Sequence, residues 1–429
     1  MGGAERPRWL GGFAGLVVLM MFGTAAWPCT FCGGGLRSRL TWRQQAAGVP
    51  WVLYGSLANP RFDPGSERGS TEFHVREVLR GEAGRTPPRH MVLPVYLPVI
   101  GNATPRDYVV LAHWRGGRWE LAGGFPASEA AVAYLKEVLR LPEHDTVARC
   151  AYFFRHLDHA EAAVAGDALA ELGRISDAEL YRAAAQGAFP VVRLRQLLRQ
   201  PRLAPEAQGM LAYLLGLCGQ VPGDADMLRD LWGQWSSLAG TAGSPSASNS
   251  ALSNDSSVGS GILSGLILLD PSQGWRLASE VLGDPQRPFA QRWAVLETLR
   301  FIQAFRPPVL PPSGSGPKRE SAGLRRDHRA DLLRCYALLV RQGDLADQAV
   351  EDLRRWGYWD LTADILRHFD APTHQAPIVR RAIVRYALVA PGPKAQDFLR
   401  ELRRREPELV RSVEELLRQY EPAGDKPRR

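Results

Sequence analysis

Two regimes of hydrophobic spacing divide the chain. Between residues 51 and 121, short apolar runs rich in Val, Tyr and Trp alternate with breaks that contain Gly and Pro. This spacing predicts β-strands at 51–57, 70–79, 90–95, 107–113 and 118–122. Five strands within about 75 residues fit a small antiparallel barrel, since closure removes the exposed edges of a short sheet. We therefore expect an OB-like β-barrel.

From residue 128 onward, apolar residues recur with the 3.6-residue period of amphipathic helices. A long series of helices with short connections is typical of an α-solenoid, and the segment at 160–173 carries small residues that permit close helix contact. The repeat length varies between about 30 and 45 residues, which predicts degenerate HEAT-like hairpins. The predicted fold class is α+β and multidomain, with a small antiparallel OB-like barrel followed by an α-solenoid of HEAT-like helical hairpins.

Two polar segments interrupt the helical pattern. Residues 240–261 are dominated by Ser, Gly and Asn, and residues 306–323 by Pro, Ser and Gly. Neither composition can bury enough apolar surface to offset its ordering entropy, so both are predicted to be disordered inserts. The complete prediction is a leader at 1–26, a β-rich domain at 27–126, helical repeats at 127–239, 262–305 and 324–420, the two inserts at 240–261 and 306–323, and a disordered tail at 421–429.

The first residues have the layout of a secretory signal peptide. Arg6 and Arg8 precede an apolar run at 10–22, and small residues follow at 24–26. This run is too short to span a bilayer, which needs about 20 residues. We therefore expect cleavage near Trp27, a periplasmic or secreted protein, and no membrane span after cleavage.

Composition and charge describe a globular chain of several domains. The chain has 429 residues, of which 45% are hydrophobic and 23% charged, with a net charge of +8. Basic and acidic residues are mixed at helical spacings, which is typical of solvated helix faces. A nucleic-acid surface would need clustered basic residues with aromatics between them, so we expect no nucleic-acid partner.

Cys29 and Cys32 form the CxxC motif CTFC, the sharpest chemical signal in the sequence. A CxxC pair can act in thiol–disulfide exchange or supply two zinc ligands. The motif precedes the first strand, and no second CxxC follows nearby, so we favour a disulfide that staples the N-terminus and keep both alternatives. Cys150, Cys218 and Cys335 lie on apolar helix faces and are predicted to be buried thiols.

Aromatic residues at Trp356, Tyr358 and Trp359 are candidates for a binding surface, because a tryptophan pair three residues apart can face a groove. Packing between helical hairpins explains the same residues. His156 and His159 could share a helix face as metal ligands, but solvated or capping roles are favoured. We predict no catalytic residue, no metal site and no cofactor.

Three segments carry a resemblance to a known family: YGSLANPRFDP at 54–64, GLCG at 216–219 and EDLRRWGYW at 351–359. With the leader and the CTFC motif, they resemble a family of uncharacterised secreted proteins of planctomycete-type bacteria. The resemblance implies a small β domain followed by HEAT-like repeats, and it supplies no activity. The β domain is also similar in outline to the netrin-like OB barrel, although this chain lacks that group's further disulfide cysteines.

The sequence therefore predicts a secreted, non-enzymatic interaction or scaffold protein. Its partner would be another exported protein or a cell-envelope polymer, bound through the helical-repeat surface. The alternative is an extracytoplasmic thiol-redox or metal-handling factor that uses Cys29 and Cys32. A hydrolase is a third class, for which the sequence offers no pair of carboxylates to name.

Overall fold

The computed structural model describes residues 40–65, 68–98, 106–201, 203–241, 249–305 and 327–420. The predicted leader, Cys29, Cys32, the predicted insert at 306–323 and the predicted tail at 421–429 lie outside the described residues.

A short helix and five strands open the described chain. They are α1 (Trp42–Ala47), β1 (Trp51–Asp63), β2 (Arg68–Arg80), β3 (His90–Leu93), β4 (Arg106–Arg115) and β5 (Arg118–Pro126). The strands form one antiparallel sheet in the order β3-β2-β1-β4-β5, which confirms the prediction of a five-stranded β region. The sheet is open, with β3 and β5 as its edges, so the predicted closure into a barrel is not observed among the described strands.

Buried apolar clusters lie on both faces of the sheet. On one face, Val52 and Val109 pack with the residues of α1 and of the helices that follow the sheet. On the other face, Leu53, Phe73 and Val110 belong to a separate buried cluster, whose described members include no helical residue. Because neighbouring residues of a strand point to opposite faces, β1 and β4 contribute side chains to both clusters. The described members of the second cluster come from the five strands and from the segment that follows β3.

Helices make up the rest of the described chain. They are α2 (Glu129–Arg140), α3 (Thr146–Arg155), α4 (Ala162–Leu172), α5 (Asp177–Ala185), α6 (Val191–Leu198), α7 (Pro205–Cys218), α8 (Gly223–Thr241), α9 (Asn249–Leu269), α10 (Pro271–Gly283), α11 (Phe289–Ala304), α12 (Arg329–Val340), α13 (Ala346–Trp356), α14 (Thr362–Arg367), α15 (Pro377–Val389), α16 (Pro393–Arg405) and α17 (Pro407–Tyr420), with a 3₁₀ turn at Pro372–His374. The chain is therefore α+β, as predicted.

Each helix packs against its near neighbours in sequence. Helices α3, α5, α7, α9 and α11 contact one another in succession, as do α13, α15 and α17. A second series runs through α10, α12, α14 and α16. One continuous apolar core extends from Trp42 to Val413, so the helices and the adjoining face of the sheet share a single core.

Helices α7 and α9 come closest because glycines line their contact. A Cβ added at Gly216 would lie 2.3 Å from the Cα of Gly265, and one at Gly261 would lie 2.3 Å from the carbonyl oxygen of Gly209. Residues 242–248 of the predicted disordered insert at 240–261 lie outside the described residues. The prediction is wrong over residues 240–241, which end α8, and over residues 249–261, which form the first part of α9. In this part of α9, Ser256 and the four residues after it are buried, and most of them are small enough to pack between neighbouring helices.

No described helix is both long and apolar enough to cross a membrane.

Candidate functional site

A groove of about 730 Å³ lies between the two edge strands of the sheet. We call it the seam groove. The residues that line it include Arg85, Met91, Val92, Trp114, Arg118 and Trp119. Strand β3 and the loop before it form one wall, and the hairpin of β4 and β5 forms the other. The two edges of the sheet therefore line one concave surface.

Tryptophans form the hairpin side of the seam groove. Trp114 and Trp119 are paired across the hairpin, with ring centroids 5.1 Å apart. Trp119 also packs edge-on against the buried Trp51 ring, at 5.0 Å, which fixes its position. The Arg85 guanidinium lies 4.6 Å from the centroid of the Trp114 ring, within cation–π range. The groove thus combines a rigid aromatic wall with positive charge.

Backbone groups are available along both sides of the seam groove. Among the described strands, β3 pairs only with β2, and β5 pairs only with β4. The outward N–H and C=O groups of such edges are a template for another extended segment. Val92 on β3 is 61% exposed, so an apolar side chain is also presented there.

A cluster of three potential metal ligands lies on the outer face of the same sheet. Glu72 and His74 are two residues apart on β2, and His90 lies directly opposite His74 on β3. The Glu72 Oε2 atom is 3.4 Å from His90 Nε2 and 4.0 Å from His74 Nε2. We call Glu72, His74 and His90 the His/Glu cluster. Its three ligand atoms lie within 4.8 Å of one another.

Asn59 holds the carboxylate of the His/Glu cluster. Its side-chain Nδ2 donates a 2.8 Å hydrogen bond to Glu72 Oε2. Asn59 has a φ of 47°, in the left-handed region that asparagine tolerates better than most residues, and it lies at a register irregularity of β1. The Asn59 hydrogen bond, assisted by His90, lowers the pKa of Glu72. Glu72 is therefore an anion at neutral pH.

The predicted aromatic candidates lie in the helical array. Trp356, Tyr358 and Trp359 are partly buried and pack against the main core. The Tyr358 hydroxyl donates a 3.0 Å hydrogen bond to Gln303, and the Trp359 ring packs edge-on against Tyr386 at 5.1 Å. The structure places these rings in interhelical contacts, and their role in recognition stays a prediction.

The predicted thiols and the histidine pair have local roles. Burial raises the pKa of Cys150 and Cys218 to about 12 and that of Cys335 to about 11, so these groups stay protonated at neutral pH. His156 Nδ1 lies 2.8 Å from a backbone carbonyl, and His159 Nδ1 accepts a hydrogen bond from a backbone N–H. Their lone pairs and protons therefore serve the local backbone.

Sequence reasoning did not identify the His/Glu cluster. Alternation within β2 places Glu72 and His74 on one face, but only the register of β2 with β3 adds His90. A hairpin alignment of the two predicted strands could have paired His74 with His90. No spacing along the chain marks such a pair.

Comparisons with protein-family models, with curated proteins and with solved structures found no match for this chain.

Proposed function

We propose that this chain is an exported, non-enzymatic binding protein whose seam groove holds an extended, acidic segment of another exported protein. Export rests on the leader pattern at 1–26. The observation that carries the proposal is the seam groove itself, which is lined by two tryptophans and by the two strands that form the edges of the described sheet. A segment in this groove would add its backbone hydrogen bonds to β3 or β5.

The charges of the seam groove favour an acidic partner. Arg85 lies over Trp114, and Arg118 is 80% exposed at the start of β5. Both guanidinium groups can form charge-assisted hydrogen bonds with carboxylates. The aromatic wall and Val92 would receive the apolar side chains that alternate with acidic ones along an extended segment. An envelope polysaccharide could stack on the same rings, but it would not use the strand edges.

The helical array serves as support and as a second surface. The succession of contacts between every second helix is consistent with an α-solenoid, in which each helix hides its apolar face only against its neighbours. The strand order is likewise consistent with a barrel left open between β3 and β5. Trp356, Tyr358 and Trp359 remain candidates for additional contacts on the array.

Peptide selection tests this function. Random twelve-residue peptides are displayed and selected on the purified protein, and enriched sequences are synthesised and titrated by calorimetry. We expect acidic sequences with alternating apolar residues. Hydrogen exchange with a bound peptide should slow the amides of β3 or β5, because added strand pairing protects edge amides.

Variants of the arginines provide the matched control. Arg85→Glu should weaken peptide binding at least tenfold, whereas Arg89→Glu, an exposed residue of the same connection that does not line the groove, should change it little. Failure to select any acidic peptide, or equal binding by both variants, would refute the proposal. Binding of purified cell-wall polymer that depends on Trp114, without peptide binding, would assign the groove to a polymer instead.

A further inference from the structure

We propose that Glu72, His74 and His90 bind a divalent transition-metal ion, with Zn²⁺ as the ion that best fits the donor set. These three residues are not among those that line the seam groove, and the proposal assigns no ligand to Cys29 or Cys32. Two imidazoles and one carboxylate are a ligand set that zinc accepts in proteins, with water completing the coordination.

The strand pairing preorganises the two imidazoles. The backbone N–H of Val75 donates to the carbonyl oxygen of Arg89, so this pair is hydrogen-bonded. Hydrogen-bonded and non-hydrogen-bonded pairs alternate along an antiparallel ladder, which makes His74 and His90 a non-hydrogen-bonded pair, with closely spaced side chains. Their ring centroids are 4.9 Å apart. Two adjacent strands therefore fix two of the three donors without any loop rearrangement.

The third donor lies at a distance that suits a metal. Tetrahedral zinc with bonds of about 2.0–2.2 Å separates its ligand atoms by about 3.3 Å. The separation of Glu72 Oε2 from His90 Nε2, 3.4 Å, already matches this value. The 4.0 Å separation from His74 Nε2 needs a rotation of a side chain that is 47% exposed. A small side-chain adjustment therefore completes the site.

A hydrogen bond from Asn59 holds the Glu72 carboxylate in place. Ligating carboxylates are held by further hydrogen bonds, and Asn59 supplies one to the same Oε2 atom that faces both histidines. The three residues point away from Phe73 and Met91, which belong to the buried cluster, so the bound ion would lie on the open face with access to water.

The donor types also select the class of ion. Imidazole nitrogen suits Zn²⁺, Cu²⁺ and Ni²⁺, whereas Mg²⁺ and Ca²⁺ prefer oxygen ligands throughout. In the absence of metal, the same atoms can form simple hydrogen bonds and ion pairs between Glu72 and the imidazoles. Metal titration separates these two roles, because only a ligand set gains stability from the ion.

The experiment is a ZnCl₂ titration of the full chain by calorimetry, in a Cys29→Ser/Cys32→Ser background that removes the CxxC thiols. We expect one site per chain, a rise in melting temperature with ZnCl₂ and no response to MgCl₂. Co²⁺ absorption in the visible range reports the coordination geometry directly. His74→Ala, His90→Ala and Glu72→Gln should each weaken Zn²⁺ binding at least tenfold. Asn59→Ala should weaken Zn²⁺ binding about tenfold, because it removes the hydrogen bond that orients the Glu72 carboxylate.

His144→Ala is the matched control, since His144 is exposed in the turn before α3 and lies outside the cluster. The metal-free melting temperature of each variant shows that it folds. Absence of Zn²⁺ binding in the Cys29→Ser/Cys32→Ser protein would overturn the proposal. Zn²⁺ binding that survives His74→Ala and His90→Ala unchanged would overturn the proposal as well, because the ion would then be bound elsewhere.

Discussion

The carboxylate of Asp167 accepts a 2.8 Å hydrogen bond from the backbone N–H of Trp42, across 125 residues of sequence. The other carboxylate oxygen accepts a 2.9 Å hydrogen bond from the Tyr134 hydroxyl. Asp167 lies on α4, so one buried side chain joins the start of α1 to two helices that follow the sheet. A carboxylate at a helix N-terminus also interacts favourably with the helix dipole.

Replacement of Asp167 therefore tests how α1 is held. Asp167→Ala leaves the N–H of Trp42 and the hydroxyl of Tyr134 without their acceptor, and we expect a loss of about 3 kcal/mol in the free energy of unfolding. Asp167→Asn keeps an acceptor and should cost about 1 kcal/mol. Urea unfolding measures both. Asp230→Ala, at an exposed position of α8, is the control, and a similar loss in that variant would contradict the assignment.

The same region shows why α1 was absent from the sequence prediction. A helix of six residues has little intrinsic stability, and its apolar period is too short to recognise. Its order depends on a Thr41–Gln44 capping box and on contacts with Asp167 and Glu171, which are distant in sequence. Periodicity detects elements that bury a long stripe, and it misses those held by a few polar contacts.

Strands and helices with a regular apolar period were predicted well, and the departures have physical causes. The sequence predicts that the first strand ends at 57, whereas β1 continues to Asp63. The prediction is too short because most of the last residues of β1 are exposed and carry no alternating apolar pattern. The Ser-rich composition at the start of α9 predicts disorder, although this segment is helical. Composition alone does not distinguish a solvated linker from a helix of small residues that packs closely against its neighbours. The His/Glu cluster depends on strand register, which no local pattern encodes.

The contact of α7 with α9 predicts a strong effect at one glycine. Gly216→Ala would place a methyl group against the backbone of Gly265, where only backbone movement can relieve the overlap. We expect a destabilisation of about 2 kcal/mol, typical of overpacking. Gly233→Ala, at an exposed position of α8 with no neighbour near the new Cβ, should instead stabilise by about 0.5–1 kcal/mol. Thermal unfolding distinguishes the two variants. Equal shifts of the melting temperature in Gly216→Ala and Gly233→Ala would show that α7 and α9 are farther apart than described.

We expect alanine replacement of Trp359 to affect mainly the stability of the fold, and alanine replacement of Trp114 to affect mainly peptide binding. Trp359 packs against Tyr386 and the main core, so Trp359→Ala should lower the free energy of unfolding by about 2 kcal/mol. Trp114 lines the seam groove, so Trp114→Ala should reduce peptide binding with a smaller loss of stability. Urea unfolding and calorimetry measure the two effects. Unchanged stability in Trp359→Ala would favour the alternative that this ring serves recognition.

We expect the stability of the fold to depend on pH in the mildly acidic range, because His374 is buried. Its ring is fully buried, with Nε2 2.7 Å from the carbonyl oxygen of Val340 at the end of α12 and Nδ1 2.8 Å from the Thr373 hydroxyl. Burial lowers the pKa of His374 below its usual value of 6.5, and the neighbouring His368 acts in the same direction. The folded protein thus binds this proton at a lower pH than the unfolded chain.

Because the pKa of His374 is lower in the folded state than in the unfolded chain, the protein loses stability as the pH falls. Neutral His374 makes its full contribution to the free energy of unfolding above pH 6.5. This contribution decreases as the pH falls from 6.5 towards the lower pKa of His374 in the folded state. His374→Gln retains an amide that can donate to Val340 but cannot titrate, and it should cost about 1 kcal/mol at pH 7.5. The difference in free energy of unfolding between the native protein and this variant should therefore narrow between pH 7.5 and pH 5. Urea unfolding at several pH values measures this difference, with the exposed His144→Gln as control, and a difference that stays constant would rule out a buried neutral imidazole at His374.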